Sequence, residues 1–320
     1  MKLITLLFLL LTGCILTNSQ LSLQYASLGL ELWFQKMIPS LFPFMILSGV
    51  MIRLNLTEKL AMAAYPVVGP LYRVRKNVCY CMILGFLCGF PMGAKVTAEL
   101  LERDRITLRE AEYLLSFCNN IGPVYFCSFV LPLLGRRLTA PYLFGMYGIP
   151  LIYGLILRYT VFRDIGVHII KTGPPAQIRA AEFRSSEMPV KKTISGRTLL
   201  EAVDESIRSG GISILTLGGY MVLFNLLNLL PHIILGHSFP ILAPLLEITG
   251  GLGMLQGSLP LYCLLALSFG GLSCIAQTYS CIRNTGLSLG SYVLHKAVLT
   301  LLNGSFYLCW FLLAPSSFLR

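Results

Sequence analysis

Phe239-Pro240-Ile241-Leu242-Ala243-Pro244-Leu245-Leu246-Glu247-Ile248-Thr249-Gly250-Gly251-Leu252-Gly253-Met254-Leu255 decides how this chain is read. The run is apolar enough for a membrane interior. Yet two prolines, three glycines and one carboxylate interrupt it. Proline removes a backbone donor, and glycine weakens a helix. The run therefore predicts a short, discontinuous helix rather than a plain crossing. Irregular backbone persists at membrane depth only where protein buries it or a cavity adjoins it. The stretch points to a pathway, with Glu247 at its centre. An ionisable group in a membrane segment costs roughly 3 kcal/mol unless it is paired or faces water.

The rest of the chain supplies the membrane. Its 320 residues are 55% hydrophobic and only 12% charged, with a mean hydropathy of +0.73. A soluble domain carries about 25% charged residues, so too little polar surface remains to cover a soluble globule. That excludes an ordinary cytosolic enzyme. The net charge of +11 is not a sign of nucleic acid either, because Lys and Arg collect in cytoplasmic loops of membrane proteins. An all-α, polytopic integral membrane protein in the bilayer is expected, with room for roughly seven to nine spans.

Apolar segments fall at residues 3–16, 28–54, 61–72, 78–94, 111–134, 141–161, 212–235, 239–255, 259–281 and 289–314. Residues 61–72 hold Pro66, Gly69 and Pro70 and are the second interrupted segment. Four units are expected. Residues 1–27 carry an N-terminal transmembrane helix, and residues 28–162 a first repeat plus one extra helix. Residues 163–198 are a basic cytoplasmic linker, and residues 199–320 a second repeat. The first segment also has the look of a cleaved signal, and Leu11-Thr12-Gly13-Cys14 that of a lipoprotein box. A retained helix is the expected form, since a polytopic protein gains little from a lipid anchor.

The repeat rests on collinear matches. Residues 65–74, with Pro66 and Pro70, lie without gaps on residues 239–248, with Pro240 and Pro244, so that Arg73 falls on Glu247. Gly89-Phe90-Pro91-Met92-Gly93-Ala94-Lys95 lies on Gly271-Leu272-Ser273-Cys274-Ile275-Ala276-Gln277, and Asn120 falls near Asn303. Secondary transporters are commonly built from such repeats, with substrate sites on broken helices at the repeat interface.

At Gly89-Phe90-Pro91-Met92-Gly93-Ala94-Lys95-Val96-Thr97-Ala98-Glu99-Leu100 the chain resembles the YlbJ-type sporulation integral membrane proteins. So do Ile38-Pro39-Ser40-Leu41-Phe42-Pro43-Phe44, Leu114-Leu115-Ser116-Phe117-Cys118-Asn119-Asn120 and Leu246-Glu247-Ile248-Thr249-Gly250-Gly251. The resemblance covers roughly residues 28–315. That family carries the nucleoside recognition, or Gate, domain, also found in concentrative nucleoside transporters and in ferrous-iron transporters. The resemblance implies two Gate-like repeats with broken or re-entrant helices. It also implies a role in endospore formation, in the outer forespore membrane, with passage of dipicolinic acid from the mother cell.

Several residues are candidates for chemistry. Gly89, Pro91 and Gly93 break one helix and start another near Met92, whose free N–H groups suit an anion. Lys95 follows in that first turn, and its bland reading is a lysine reaching the surface beside Glu99. Glu247 is expected to pair with Arg73 or to accept a proton. Otherwise it is a structural salt bridge or a carboxylate at the membrane face. Arg73 reads equally as one of an interfacial cluster with Arg75 and Lys76. Asn119, Asn120, Gly122 and Pro123 predict an unwound turn, with Asn303-Gly304-Ser305 as a weaker echo. The alternative there is helix packing by small and amide residues. Pro244 and Gly250 break the second interrupted segment. The candidate substrate ligands are thus Lys95, Asn119, Asn120, Glu247, Gln277, Arg73 and Asn303.

The ten cysteines read as small buried hydrophobes. No nucleophile–base pair, phosphate loop or metal cluster stands out, and no cofactor is expected. The leading expectation is a permease for a small anionic metabolite, by resemblance dipicolinic acid. A nucleoside carrier is an alternative. So is a non-transporting scaffold that recruits sporulation partners through its basic linker. Homo-oligomers are compatible with each.

Overall fold

A computed structural model describes residues 2–135, 138–165 and 196–318. Nearly all of the basic linker expected at residues 163–198 lies outside the described residues. The described residues are helical, with no strand among them. The helices are α1 (Lys2–Thr17), α2 (Ser19–Leu32), α3 (Ile38–Arg53), α4 (Thr57–Ala61), α5 (Tyr65–Tyr72), α6 (Lys76–Cys88), α7 (Met92–Glu102) and α8 (Leu108–Leu115). There follow α9 (Pro123–Leu134) and α10 (Thr139–Tyr159), then α11 (Gly196–Leu226), α12 (Leu229–Leu235), α13 (Ala243–Leu246), α14 (Ile248–Leu255), α15 (Pro260–Phe269), α16 (Gly271–Ile282) and α17 (Leu289–Leu313).

Among the described residues, five stretches are long and apolar enough to cross a membrane: Ser19–Arg53, Thr139–Tyr159, Leu199–Leu235, Pro260–Ile282 and Leu289–Leu313. The first runs straight through residue 27, where the N-terminal unit was expected to end. Large apolar side chains point outward from these spans, among them Phe34, Ile152, Ile156, Ile212, Leu215, Leu301 and Leu312. Such a continuous apolar exterior fits lipid and not water. Two cysteines share it: Cys127 and Cys309 are exposed, which corrects the expectation that all ten are buried. Their small apolar bodies are as well placed against lipid chains as in a core.

Among the described residues, three helices contain a single widened turn, at Trp33–Met37, Phe126–Val130 and Phe144–Gly148. Each is centred on the residue four before a proline: Gln35 before Pro39, Ser128 before Pro132, Met146 before Pro150. A proline ring collides with that carbonyl in a regular helix. Widening the turn removes the collision without ending the helix.

Two stretches share one succession of elements. Helix α5 ends on Arg73 in the left-handed region, α6 follows and ends on Gly89, and α7 leads away. Helix α14 ends on left-handed Gln256, α15 follows and ends on Gly270, and α16 leads away. In this succession Arg73 and Gln256 hold like positions, at the left-handed ends of α5 and α14, while Glu247 precedes α14. A short helix precedes each stretch, α4 before α5 and α13 before α14, with Glu247 at the junction of the second.

The buried side chains form two cores. One gathers around α6, α7 and α8, with Tyr80, Tyr113 and Phe117. The other gathers around α10, α14, α15 and α17, with Tyr142, Leu252, Leu264 and Tyr307. Phe90 and Tyr125 pack against both, so they mark the seam.

Candidate functional site

Two interrupted helices meet at that seam. The first interruption lies between α8 and α9. Its backbone at residues 118–122 presses on the α6–α7 hairpin, which glycine makes possible. A Cβ on Gly85 or Gly93 would strike the Cys118 carbonyl, and one on Gly89 would strike the Gly122 nitrogen. The second interruption is Glu247 itself, whose extended backbone (φ −136, ψ 118) separates α13 from α14. The hairpin tips touch as well: a Cβ on Gly270 would stand 2.9 Å from Cζ of Phe90.

Glu247 is 2% exposed. Its carboxylate caps α14, accepting from the N–H of Thr249 at 3.1 Å and of Gly250 at 2.6 Å. Asn225 of α11 donates to it at 3.1 Å. A negative charge is favourable at a helix N-terminus, so the sequence folds locally around the acid. The pairing with Arg73 is not made. Arg73 is exposed at the end of α5, with its guanidinium 4.8 Å from the centre of the Tyr159 ring. Near Glu247, Tyr125 donates to the Thr249 hydroxyl at 3.2 Å.

Two clefts open along the helices. The first is lined by Ser40, Phe90, Gly122, Tyr125, Met221, Glu247, Thr249 and Cys274. The second is lined by Arg53, Lys95, Glu99, Glu102, Arg103, Ser209, Ser213, Arg283 and Asn284. Leu217 and Gln277 border both. The clefts are stacked end to end. Along α3, Ser40 borders the first and Arg53 the second; along α16, Cys274 borders the first and Cys281 the second. Room for water-sized molecules amounts to about 50 Å³ in the first and about 300 Å³ in the second. The second is therefore a vestibule, while the first holds little more than water until its walls part. Four cationic and two anionic side chains line the vestibule, so it favours anions.

Lys95 belongs to the vestibule, not to the helix N-terminus before it. Its ammonium donates to Ser213 at 2.8 Å and Ser209 at 3.3 Å, and pairs with Glu99 at 3.0 Å. The start of α7 is occupied by Asn119, whose Oδ1 accepts from the Ala94 N–H at 3.4 Å. The Asn119 amide in turn donates to the hydroxyls of Thr278 at 2.9 Å and Tyr292 at 3.3 Å. Asn120 donates to the Phe117 carbonyl at 2.6 Å, which satisfies part of the broken helix. Both asparagines stand just behind the Gly122 wall of the first cleft.

Asn303 is elsewhere. It is buried in the second core and donates to Ser268 at 3.1 Å. Helix α17 runs unbroken through Asn303-Gly304-Ser305, so no unwound echo exists there. Neighbouring turns already satisfy its backbone, and neither Gly304 nor Ser305 is accompanied by a proline.

The sequence reading missed three side chains. Asn225 anchors Glu247, and Thr249 faces the first cleft beside it. Lys296 is the third: it is 2% exposed and donates to Oδ1 of Asn120 at 3.1 Å and to the Asn119 carbonyl at 3.4 Å. Its ammonium lies 4.4 Å from the centre of the Phe90 ring. The signal for Lys296 was present, since it is the sole Lys, Arg, Asp or Glu in α17. A lone charge inside an apolar span is a functional hypothesis by itself.

No protein-family model matches the chain, and no solved structure matches it. Over 236 residues the chain is 28% identical to the sporulation integral membrane protein YlbJ of Bacillus subtilis. The match takes in 71% of this chain and 56% of that protein, so the chain spans about half of its curated relative's length. Together with five helices of membrane-crossing length and composition, the similarity makes this an integral membrane protein, similar to one named for sporulation.

Proposed function

We propose that this protein is a permease of the Gate-like kind that moves a small anionic metabolite across a membrane during endospore formation. One observation carries the reading: two helix breaks and two hairpin tips converge on a single cleft that holds the buried carboxylate of Glu247. Broken helices around a central site are the usual design of secondary transporters.

The two stretches α5–α7 and α14–α16 are the repeats in this reading. The substrate anion collects in the cationic vestibule at Lys95. It passes the constriction at Leu217 and Gln277 and binds between the breaks. One repeat then moves against the other, and the cleft opens to the opposite side. By family resemblance the substrate is dipicolinic acid and the membrane is the outer forespore membrane.

The test is uptake of labelled dipicolinate into proteoliposomes, with nucleosides as competitors. Saturable uptake that nucleosides leave untouched supports the proposal. Competition by nucleosides favours a nucleoside carrier, whose base the Asn225, Thr249 and Gln277 side chains would then read. Absence of uptake by folded protein returns the scaffold reading, which rests on the linker at residues 163–198.

A further inference from the structure

We propose that Lys296 is the anion-binding charge of the first cleft, and that the substrate's carboxylate is the counter-ion it lacks. The inference rests on the permease reading and deepens it. An ammonium has three donors and no acceptor. Two of the three reach neutral carbonyl oxygens, those of Asn120 and Asn119, and the third side faces the Phe90 ring. Among the described residues, no carboxylate stands within ion-pair distance of it. A buried cation held only by dipoles is expensive, whereas a buried pair recovers much of that cost. The site is thus suited to an anion that arrives and leaves.

The cleft is next to it. Phe90 stands between Lys296 and the cleft, and Gly122 and Cys274 complete that wall. Phe90 is only half-buried, so its ring is the smallest part that must move for a carboxylate to reach the ammonium. The cleft is also lined by Tyr125, Met37 and Met221, an apolar surface beside the charge. The ligand class that the ammonium selects is a small carboxylate. Lys95, already paired with Glu99 and open to the vestibule, serves for capture and not for final binding.

The experiment measures binding of dipicolinate to the purified full chain in nanodiscs, with its neutral diamide as control. Wild-type protein is expected to bind the acid and not the diamide. Lys296→Met should weaken acid binding by about 10- to 100-fold, the worth of a charge-assisted hydrogen bond. It also leaves the Asn120 Oδ1 and the Asn119 carbonyl without that donor, so thermal unfolding of the unliganded variant is measured beside its binding. Asn120→Asp gives Lys296 a built-in counter-ion, at the cost of the Asn120 hydrogen bond to the Phe117 carbonyl, so it should weaken acid binding to a similar extent. Wild-type affinity in a folded Asn120→Asp or Lys296→Met protein overturns the inference. If Lys296→Met does not fold, Asn120→Asp alone decides. Failure of the wild type itself to bind or transport any carboxylate overturns the permease reading along with it, whereas normal transport by both variants removes only Lys296.

Discussion

The Asn225 amide donates to the Glu247 carboxylate at 3.1 Å, and through it the long helix α11 holds the break between α13 and α14. Gly250 packs directly against Oδ1 of Asn225, so no side chain fits at residue 250. Helix, break and acid thus form one unit, and a motion of α11 relative to α14 must pass through this bond.

Replacing the acid should expose that dependence. Glu247→Gln has one acceptor oxygen for three donors and turns an NH2 toward backbone N–H groups. Leaving one such buried donor unsatisfied costs about 1–3 kcal/mol. Thermal unfolding in detergent should show that loss, and dipicolinate uptake should fall at least about tenfold. Unchanged uptake would remove Glu247 from the pathway.

The approach of Gly93 to the Cys118 carbonyl sets a second expectation. Gly93→Leu forces the α6–α7 hairpin off the first break. Overpacking of this kind costs about 1–3 kcal/mol, and both transport and yield of folded protein should drop. Gly253→Ala is the control: a Cβ there meets nothing within 4 Å, so stability should stay level.

Glu110 lies in α8, outside the five spans, and closes a capping box with Thr107. Burial pushes its carboxyl up, but hydrogen bonds from Arg75 (2.8 Å to Oε1) and from the Thr107 N–H (2.7 Å) outweigh this and hold it below the usual carboxylate range. A depressed folded value means the stabilisation is full above the unfolded value, about 4.3, and is lost as pH falls from there through the folded value. Melting temperature followed from pH 7 downward should decline in that window. Glu110→Gln should start lower and decline less, and an identical pH profile would contradict the assignment.

The vestibule should act through long-range charge. Lys95→Gln leaves the first cleft intact but removes one of four cations at its approach. Uptake at low salt should slow several-fold. The difference from wild type should shrink at ionic strengths where the Debye length falls to about 8 Å. A loss that salt leaves unchanged would instead make Lys95 a direct ligand.

Much of the architecture was legible in the chain. Apolar runs, scarce charge and the Pro–Gly interruptions identified a membrane protein with breaks at Gly89–Gly93, Gly122–Pro123 and Pro244–Gly250. All three are found close to where the residues put them. Local backbone chemistry decides such features, since a proline or a left-handed glycine acts within a turn of itself. The order of elements around the recurring Pro-x-x-x-Pro was less legible, because the motif records composition and not where the helices end.

By itself, then, the sequence determined the medium, the helical class and the interrupted segments, and singled out Glu247 as an acid inside one of them. Only the tertiary structure decided the partners. It gave Glu247 to Asn225 and not to Arg73, put Lys95 in a vestibule, withdrew Asn303 into a core and brought Lys296 onto the first break. The physical reason is range. Helix breaks follow from neighbours a few residues away, whereas a buried charge takes whatever dipole or ion the packing of distant helices sets beside it. Asn120 and Lys296 are 176 residues apart in the chain and 3.1 Å apart in the fold.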